Sequence, residues 1–417
     1  MAQISDDCFA FGGALMTMEE ALATLAGRLT PMTEIETVTL DAARGRVLAS
    51  PLTASMNVPP HDNVAVDGYA FRHADLASSG DSAFRVVARA AAGHPADKPV
   101  GSGEAARVFT GAVLPAGTDT VAMQEDCRTD GERVFVPEGL KRGANRRKAG
   151  EDIEQGKIVL PAGRRLRAQD IGLAASIGVA ELPVYRRLSV AVFSTGDEIV
   201  DPGRPLAPGK VYDSNRHMLI ALLRGLGFVV RDLGILPDRR DVMIDALRDA
   251  AEADDALVTS GGMSTGDEDH VRAAVEALGS LHFWRLAIRP GRPVALGQVL
   301  GKAFVGLPGN PVAAMVTFLR FARPMLLRLA GATEVEPIHF RVRSAFDYRK
   351  KAGRREFLRA RIVPGDDMPT AHKFARDGAG ILTSLVESDG LVELPEGLTH
   401  VAVGTPVDFI PFSEVVG

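Results

Sequence analysis

Ala256-Leu-Val-Thr-Ser-Gly-Gly-Met-Ser-Thr-Gly-Asp-Glu-Asp-His270 leaves a short apolar run through glycines and hydroxyls. It then enters a segment with apolar residues at Val271, Ala274, Val275 and Leu278. That change of period predicts strand, loop and helix in succession. The same alternation surrounds it. Residues 189–193 form an apolar run, Leu219, Leu222, Leu223 and Leu226 recur at helical spacing, 228–233 is a second strand, and 242–251 is helical again. Residues 303–306 add a buried strand, and a long helix follows Pro308-Gly-Asn-Pro311 as far as Leu329. Strands alternating with helices predict βαβ crossovers and a central three-layer α/β domain on a mostly parallel sheet.

Outward from this unit the periodicity changes. Residues 56–154 combine Pro59-Pro60, many glycines and short Val/Phe runs such as 85–88 and 134–136, the pattern of a β-rich insert. Before it, Leu15, Met18, Ala21, Leu22 and Leu25 predict a helix, with a second apolar helix expected around Leu48. Helical spacing returns at Ile171, Leu173, Ala174 and Ile177, so 1–55 plus 155–187 is expected to form one discontinuous helical or mixed lead-in domain around the insert. The α/β domain then spans 188–334. From 335 to 417 the runs 339–343, 356–362, 391–394 and 407–410 alternate as strands, Asp389-Gly390 carries a hairpin signal, and a C-terminal β-barrel is expected.

Composition sets the outer bounds. A chain of 417 residues exceeds a single core, and 46% hydrophobic with 24% charged residues is ordinary globular usage. A net charge of −5 argues against a general nucleic-acid or membrane-surface binder. Cys8 and Cys127 cannot build a disulfide framework or a cysteine zinc site, which points to a reducing cytoplasm. No stretch reaches the roughly 18 apolar residues of a membrane span, and no basic leader is seen, so neither secretion nor insertion is expected.

Glycine loops at strand ends are where an open α/β sheet receives a ligand. Ser260, Gly261, Gly262 and Ser264 offer backbone N–H groups and hydroxyls there, in neither a P-loop nor a dinucleotide pattern. Ser194-Thr-Gly-Asp-Glu198 and Pro237-Asp238 end neighbouring strands, so Asp197, Glu198, Asp238, Asp267 and Asp269 converge on one sheet edge, where hard Mg²⁺ takes carboxylates, phosphate and water. In Phe283-Trp-Arg-Leu-Ala-Ile-Arg-Pro-Gly-Arg-Pro293, Arg285, Arg289 and Arg292 present planar forks suited to tetrahedral oxyanions. Each feature also has a plainer reading: a tight turn, solvated helix-capping carboxylates, surface ion pairs, or a proline opening a helix.

Taken together, Asp62-Asn-Val-Ala-Val-Asp-Gly-Tyr-Ala70, Thr110-Gly-Ala112, Arg147 with Gly150-Glu-Asp152, Ser194 to Glu198, Ser260-Gly-Gly-Met-Ser264 with Asp269, and Leu307-Pro-Gly-Asn-Pro311 resemble the molybdopterin molybdenumtransferase family, in family order from about residue 14 to the C-terminus. The resemblance implies a homodimer of four-domain subunits, the insert of one facing the α/β domain of the other. It implies a site of Asp67, Thr110, Arg147, Asp152, Glu198, Asp238 and Asp269, the last three around Mg²⁺. Ser260, Gly261, Gly262, Ser264, Arg285, Arg289, Arg292, Pro308, Pro311 and Arg354 would bind molybdopterin and molybdate. The implied reaction is insertion of molybdate into adenylylated molybdopterin with loss of AMP, and the molybdopterin adenylyltransferase is the implied partner.

Three departures bear on that transfer. Arg285, Arg289 and Arg292 stand where the family usually has lysine, Ala379 where it commonly has serine, and Val64 and Val66 replace Ser and Met before Asp67. Two other functions stay open on the sequence: a non-catalytic molybdopterin-binding scaffold, and a tungstate-inserting relative.

Overall fold

Residues 15–261, 270–291 and 293–415 are described in a computed structural model of the chain. They divide into two compact units. One comprises the described residues up to Ser50, Ala162–Arg167 and everything from Leu182 onward; the other comprises Pro51–Pro161 and Ala168–Glu181.

Within the first unit the strands Ser189–Thr195 and Ala256–Ser260 are buried along almost their whole length, as expected of strands covered on both faces. Period two sorts their side chains. Val190, Val192, Ala256 and Val258 join a core with Leu219, Leu223, Trp284 and Phe318 on one face, whereas Ala191, Phe193 and Leu257 join Met243, Leu247, Val271 and Val275 on the other. The helices Ser214–Gly225 and Pro311–Thr317 supply one layer, Arg240–Ala253 and His270–Leu278 the other. Three layers result.

The sheet runs Leu15–Met16, Gly279–Leu286, Pro293–Val299, Lys302–Leu307, Ala256–Ser260, Ser189–Thr195, Val229–Leu236. Its last four strands pair in parallel, and Gly279–Leu286 and Lys302–Leu307 flank Pro293–Val299 antiparallel. The run 303–306 is therefore the second arm of a hairpin turned by Leu300 (φ 49) and Gly301 (φ 77), the positive pair that matches strand twist.

The helix Met18–Arg28 begins with a capping box: Glu20 N–H donates to Thr17 Oγ at 3.2 Å, and Thr17 N–H to the Glu20 carboxylate at 2.9 Å. The helix expected around Leu48 is absent. The chain makes only the short helix Leu40–Ala43, and Leu48 lies extended, bridged to Val184 with its N–H on the Arg164 carbonyl at 2.9 Å. Pairing with distant segments, invisible to local periodicity, overrides the apolar spacing there.

The C-terminal strands close a five-stranded barrel: Arg355–Val363, Thr370–Lys373, Phe340–Ser344, Pro406–Pro411 and Gly390–Leu394, which pairs back to Arg355–Val363. Asp389-Gly390 is not its hairpin turn, because the helix Thr383–Val386 precedes it. Gly390 is needed for closure instead, since a Cβ there would stand 2.2 Å from the Ile410 carbonyl. Asp389 accepts from Ile362 N–H at 2.8 Å.

The second unit is built on a six-stranded sheet in the order Thr120–Met123, Gly68–Phe71, Glu104–Val108, Ser82–Ala90, Arg133–Val136, Arg128–Asp130. Small apolar clusters cover both faces, one with Val64, Ala70 and Val121, the other with Phe71, Phe84 and Val134. Among the described residues no helix is long and apolar enough to cross a membrane.

Candidate functional site

Two parallel strand ends in the α/β sheet are tied by one side chain. Asn215, in the first turn of Ser214–Gly225, donates from Nδ2 to Ser260 Oγ at 2.8 Å and to the Gly309 carbonyl at 2.7 Å, and Ser260 Oγ donates to the Pro308 carbonyl at 2.9 Å. These bonds hold the Ser260-Gly261 and Pro308-Gly309 loops together at one wall of a cavity of about 640 Å³. The Pro290-Gly291 turn, the barrel-strand residues Glu356 and Arg359, and Tyr348 and Asp377 supply other walls. Gly291 has φ 102, and a Cβ there would meet Thr317 Oγ at 2.2 Å, so only glycine lets this turn lie on the helix Pro311–Thr317.

Of the sequence-predicted residues, Glu198, Gly261, Arg289 and Pro308 line the cavity. Ser260 supports the wall through its bonds, and Pro311 opens the helix behind Asn310 with the Val312 N–H on the Ala379 carbonyl at 2.9 Å. Asp238 and Arg285 are exposed and Arg354 is half-buried; none of the three is among the lining residues. Gly262, Ser264, Asp267, Asp269 and Arg292 lie outside the described residues. Among the described residues no group of three or more His, Cys, Asp or Glu is assembled to hold a metal.

The cavity carries mixed charge. Arg289 Nη1 stands 3.6 Å from Glu356 Oε2, which also accepts the Tyr348 hydroxyl at 2.8 Å. Burial, reinforced by that bond to Glu356, pushes the Tyr348 hydroxyl up to about 12, so it stays a donor at neutral pH. Arg359 is buried, its Nε donating to Ser384 Oγ at 3.0 Å. Burial lowers its affinity for its proton, though no arginine deprotonates at working pH.

The insert's predicted residues belong to the second unit. Asp67 Oδ1 accepts both the N–H and the hydroxyl of Thr110, each at 2.8 Å, and these bonds hold its carboxyl below the usual range. Arg107 lies nearby over the Tyr69 and Phe109 rings, at 4.9 and 4.8 Å. Arg147 is exposed and pairs with Asn63 across a short antiparallel ladder; Asp152 is exposed, its N–H on the Val58 carbonyl at 3.1 Å. Cys127 is no nucleophile at neutral pH, since burial and the Asp126 carboxylate push its thiol up to about 11.

Three family profiles match in order along the chain. They are the MoeA N-terminal region (domain I and II) over residues 16–178, a probable molybdopterin binding domain over 191–328, and the MoeA C-terminal region (domain IV) over 341–412. A molybdopterin molybdenumtransferase of Haemophilus influenzae is 36% identical over 407 residues, covering 97% of this chain and 100% of that protein. The chain belongs to the molybdopterin molybdenumtransferase family. A second molybdenumtransferase of the family, from Nostoc, is 36% identical over 92% of this chain and 90% of its own length. The structure of a molybdopterin biosynthesis moeA protein from Pyrococcus horikoshii superposes with a TM-score of 0.81 at 28% identity, covering 95% of this chain and 100% of that one.

Within this molybdenumtransferase fold the sequence reading missed Asn215, Tyr348, Glu356 and Arg359. Glu356 left a signal: it alternates with Leu358, Ala360 and Ile362 in the strand Arg355–Val363, and a carboxylate in an apolar period-two row asks for a partner or a ligand, whereas Arg359 shares its period with Arg355 and Arg361 and does not stand out. Asn215 and Tyr348 left none, because only the fold brings them to the strand ends and the cavity.

Proposed function

We propose that the chain inserts molybdate into adenylylated molybdopterin in a Mg²⁺-dependent reaction that releases AMP. Membership of the molybdopterin molybdenumtransferase family carries the coarser part, a transferase of molybdenum cofactor biosynthesis, and the match along the whole Haemophilus influenzae relative is the observation that supports it most. The finer reading adds a homodimer in the cytoplasm, served by the molybdopterin adenylyltransferase. It also adds a four-part organisation at 1–55 plus 155–187, 56–154, 188–334 and 335–417.

The donor chemistry suits the ion. Glu198 and Asp238 follow the adjacent parallel strands Ser189–Thr195 and Val229–Leu236, and both are exposed carboxylates. Mg²⁺ is commonly held by one or two such groups with phosphate and water completing the shell. Glu198, Asp238 and Asp269 would hold it, and when bound it neutralises phosphate charge as AMP departs. Arg289, at the cavity wall, compensates the charge of the oxyanion, with Arg285, Arg292 and Arg354 as further cations. The N–H groups and hydroxyls of Ser260, Gly261, Gly262 and Ser264, with Pro308 and Pro311, orient the pterin phosphate. Asp67, Thr110, Arg147 and Asp152 would complete the site from the insert of a second subunit. This is electrostatic positioning, and no protein nucleophile is required.

The deciding experiment supplies the purified chain with adenylylated molybdopterin, molybdate and Mg²⁺ and follows AMP. Molybdate-dependent release that stops on chelation is expected; absence of release with substrate bound would leave a pterin-binding scaffold. Tungstate in place of molybdate, compared at equal concentration, separates the two metals.

A further inference from the structure

Glu356 is 1% exposed, and among the described residues one of its oxygens, Oε1, has no hydrogen-bond partner. The other accepts from Tyr348 at 2.8 Å and faces Arg289 at 3.6 Å. A buried carboxylate satisfied on one side only is a poor device for stability, because the loss of hydration offsets its ion pair. Its position suggests another use. Ile288–Arg289 is a two-residue strand that joins the barrel in parallel, with Ile288 opposite Arg355 and Arg289 opposite Glu356. The backbone register therefore fixes the root of the arginine while the carboxylate faces its tip.

We propose that Glu356, held by Tyr348, is a positioning residue that aims the Arg289 guanidinium into the cavity. This rests on reading the cavity as an oxyanion site. A guanidinium has five N–H donors in a plane, so one edge directed at Glu356 leaves the others oriented toward the cavity. Arg289 is otherwise half exposed, with a side chain 52% accessible, and an unanchored arginine spreads over many rotamers that each oxyanion must reorder. Tyr348 keeps the anchor in one place because its hydroxyl remains a donor throughout the working range. Nothing in the arrangement requires Glu356 to touch the ligand.

The test is calorimetric titration of sodium molybdate into the full chain, with sulfate as the control dianion, for wild type, Glu356→Gln, Tyr348→Phe, Arg289→Ala and the double variant Glu356→Gln/Arg289→Ala. Glu356→Gln keeps shape and removes charge, and should weaken molybdate binding by roughly three- to thirtyfold, the range of direct side-chain couplings. In the Arg289→Ala background the same substitution should change affinity by less than about twofold. Tyr348→Phe should weaken binding in the same direction and serves if the glutamine variant folds poorly, which thermal melting reports. An equal loss in both backgrounds would mean that Glu356 acts independently of Arg289, and tighter binding in Glu356→Gln would mean that it merely repels the anion. Either overturns the proposal. A wild type that binds no molybdate refutes instead the oxyanion reading on which it rests.

Discussion

Asp67 and Thr110, 43 residues apart, are joined by two hydrogen bonds to one carboxylate oxygen, from the Thr110 N–H and from its hydroxyl, both at 2.8 Å. The pair locks the turn after Glu104–Val108 to the loop before Gly68–Phe71 and leaves the second carboxylate oxygen free of Thr110.

Because these bonds stabilise the charged form, Asp67 stays ionised well into acid. If that charge serves the reaction, Asp67→Asn should reduce AMP release by roughly 10²-fold, the scale of a lost electrostatic contact. Thermal melting checks that the variant still folds. Turnover at the wild-type level would remove Asp67 from the site.

Asp255 yields a pH dependence. Burial pushes its carboxyl up, but the Arg186 guanidinium at 2.9 and 3.0 Å and the Ser189 N–H at 2.9 Å outweigh it, so the group sits below its ordinary value. A depressed carboxyl contributes stability that is full above its unfolded value of about 4 and is lost as pH falls through the folded one. Asp255→Asn should thus destabilise by about 2 to 3 kcal/mol at pH 7, as expected for charge-assisted bonds, with the gap narrowing as the pH falls below the unfolded carboxyl value of about 4. Urea unfolding at neutral and acid pH measures it, and a gap that does not depend on pH would reject the charge-based account.

Arg216 is 3% exposed and binds Asp213 at 2.8 Å, Asp232 at 2.5 Å, and Asp201. Truncation strands the equally buried Asp213. Arg216→Met should therefore destabilise by about 3 to 5 kcal/mol, whereas Arg272→Ala, at an exposed pair with Glu276, should change stability by less than about 1 kcal/mol. Comparable losses at the two positions would show that burial is not what sets the energy.

Ala379 lines the cavity, and its carbonyl accepts the Val312 N–H at 2.9 Å. Ala379→Ser restores the hydroxyl common in the family. One added hydrogen bond should tighten molybdate binding about tenfold at most. Calorimetry would register the change, and weaker binding would place the hydroxyl against the anion or a neighbour.

If the site draws on the insert of a second subunit, as proposed, activity requires association. Sedimentation should give about twice 44.3 kDa. An active monomer would refute that arrangement.

By itself the sequence determined the layers. Runs such as 189–193 and 256–259 are apolar on both faces, and Leu219, Leu222 and Leu223 recur at the helical period. These signals are local, because each residue's burial follows from its own strand or helix. The family motifs were legible for the same reason, each lying within a few consecutive residues. What needed distant partners was not. Leu48 reads as helical and pairs with Val184 instead. Asp389-Gly390 reads as a turn, yet Gly390 serves the close approach to Ile410 that closes the barrel. Asn215 reaches Ser260 and Gly309 only after three segments have converged, and Arg289 meets Glu356 only through a two-residue register between the α/β layer and the barrel. Local propensity constrains an element's type, but which elements meet, and in which register, depends on the packing and desolvation of residues far apart in the chain, and so the tertiary structure alone decided the polar contacts of the cavity.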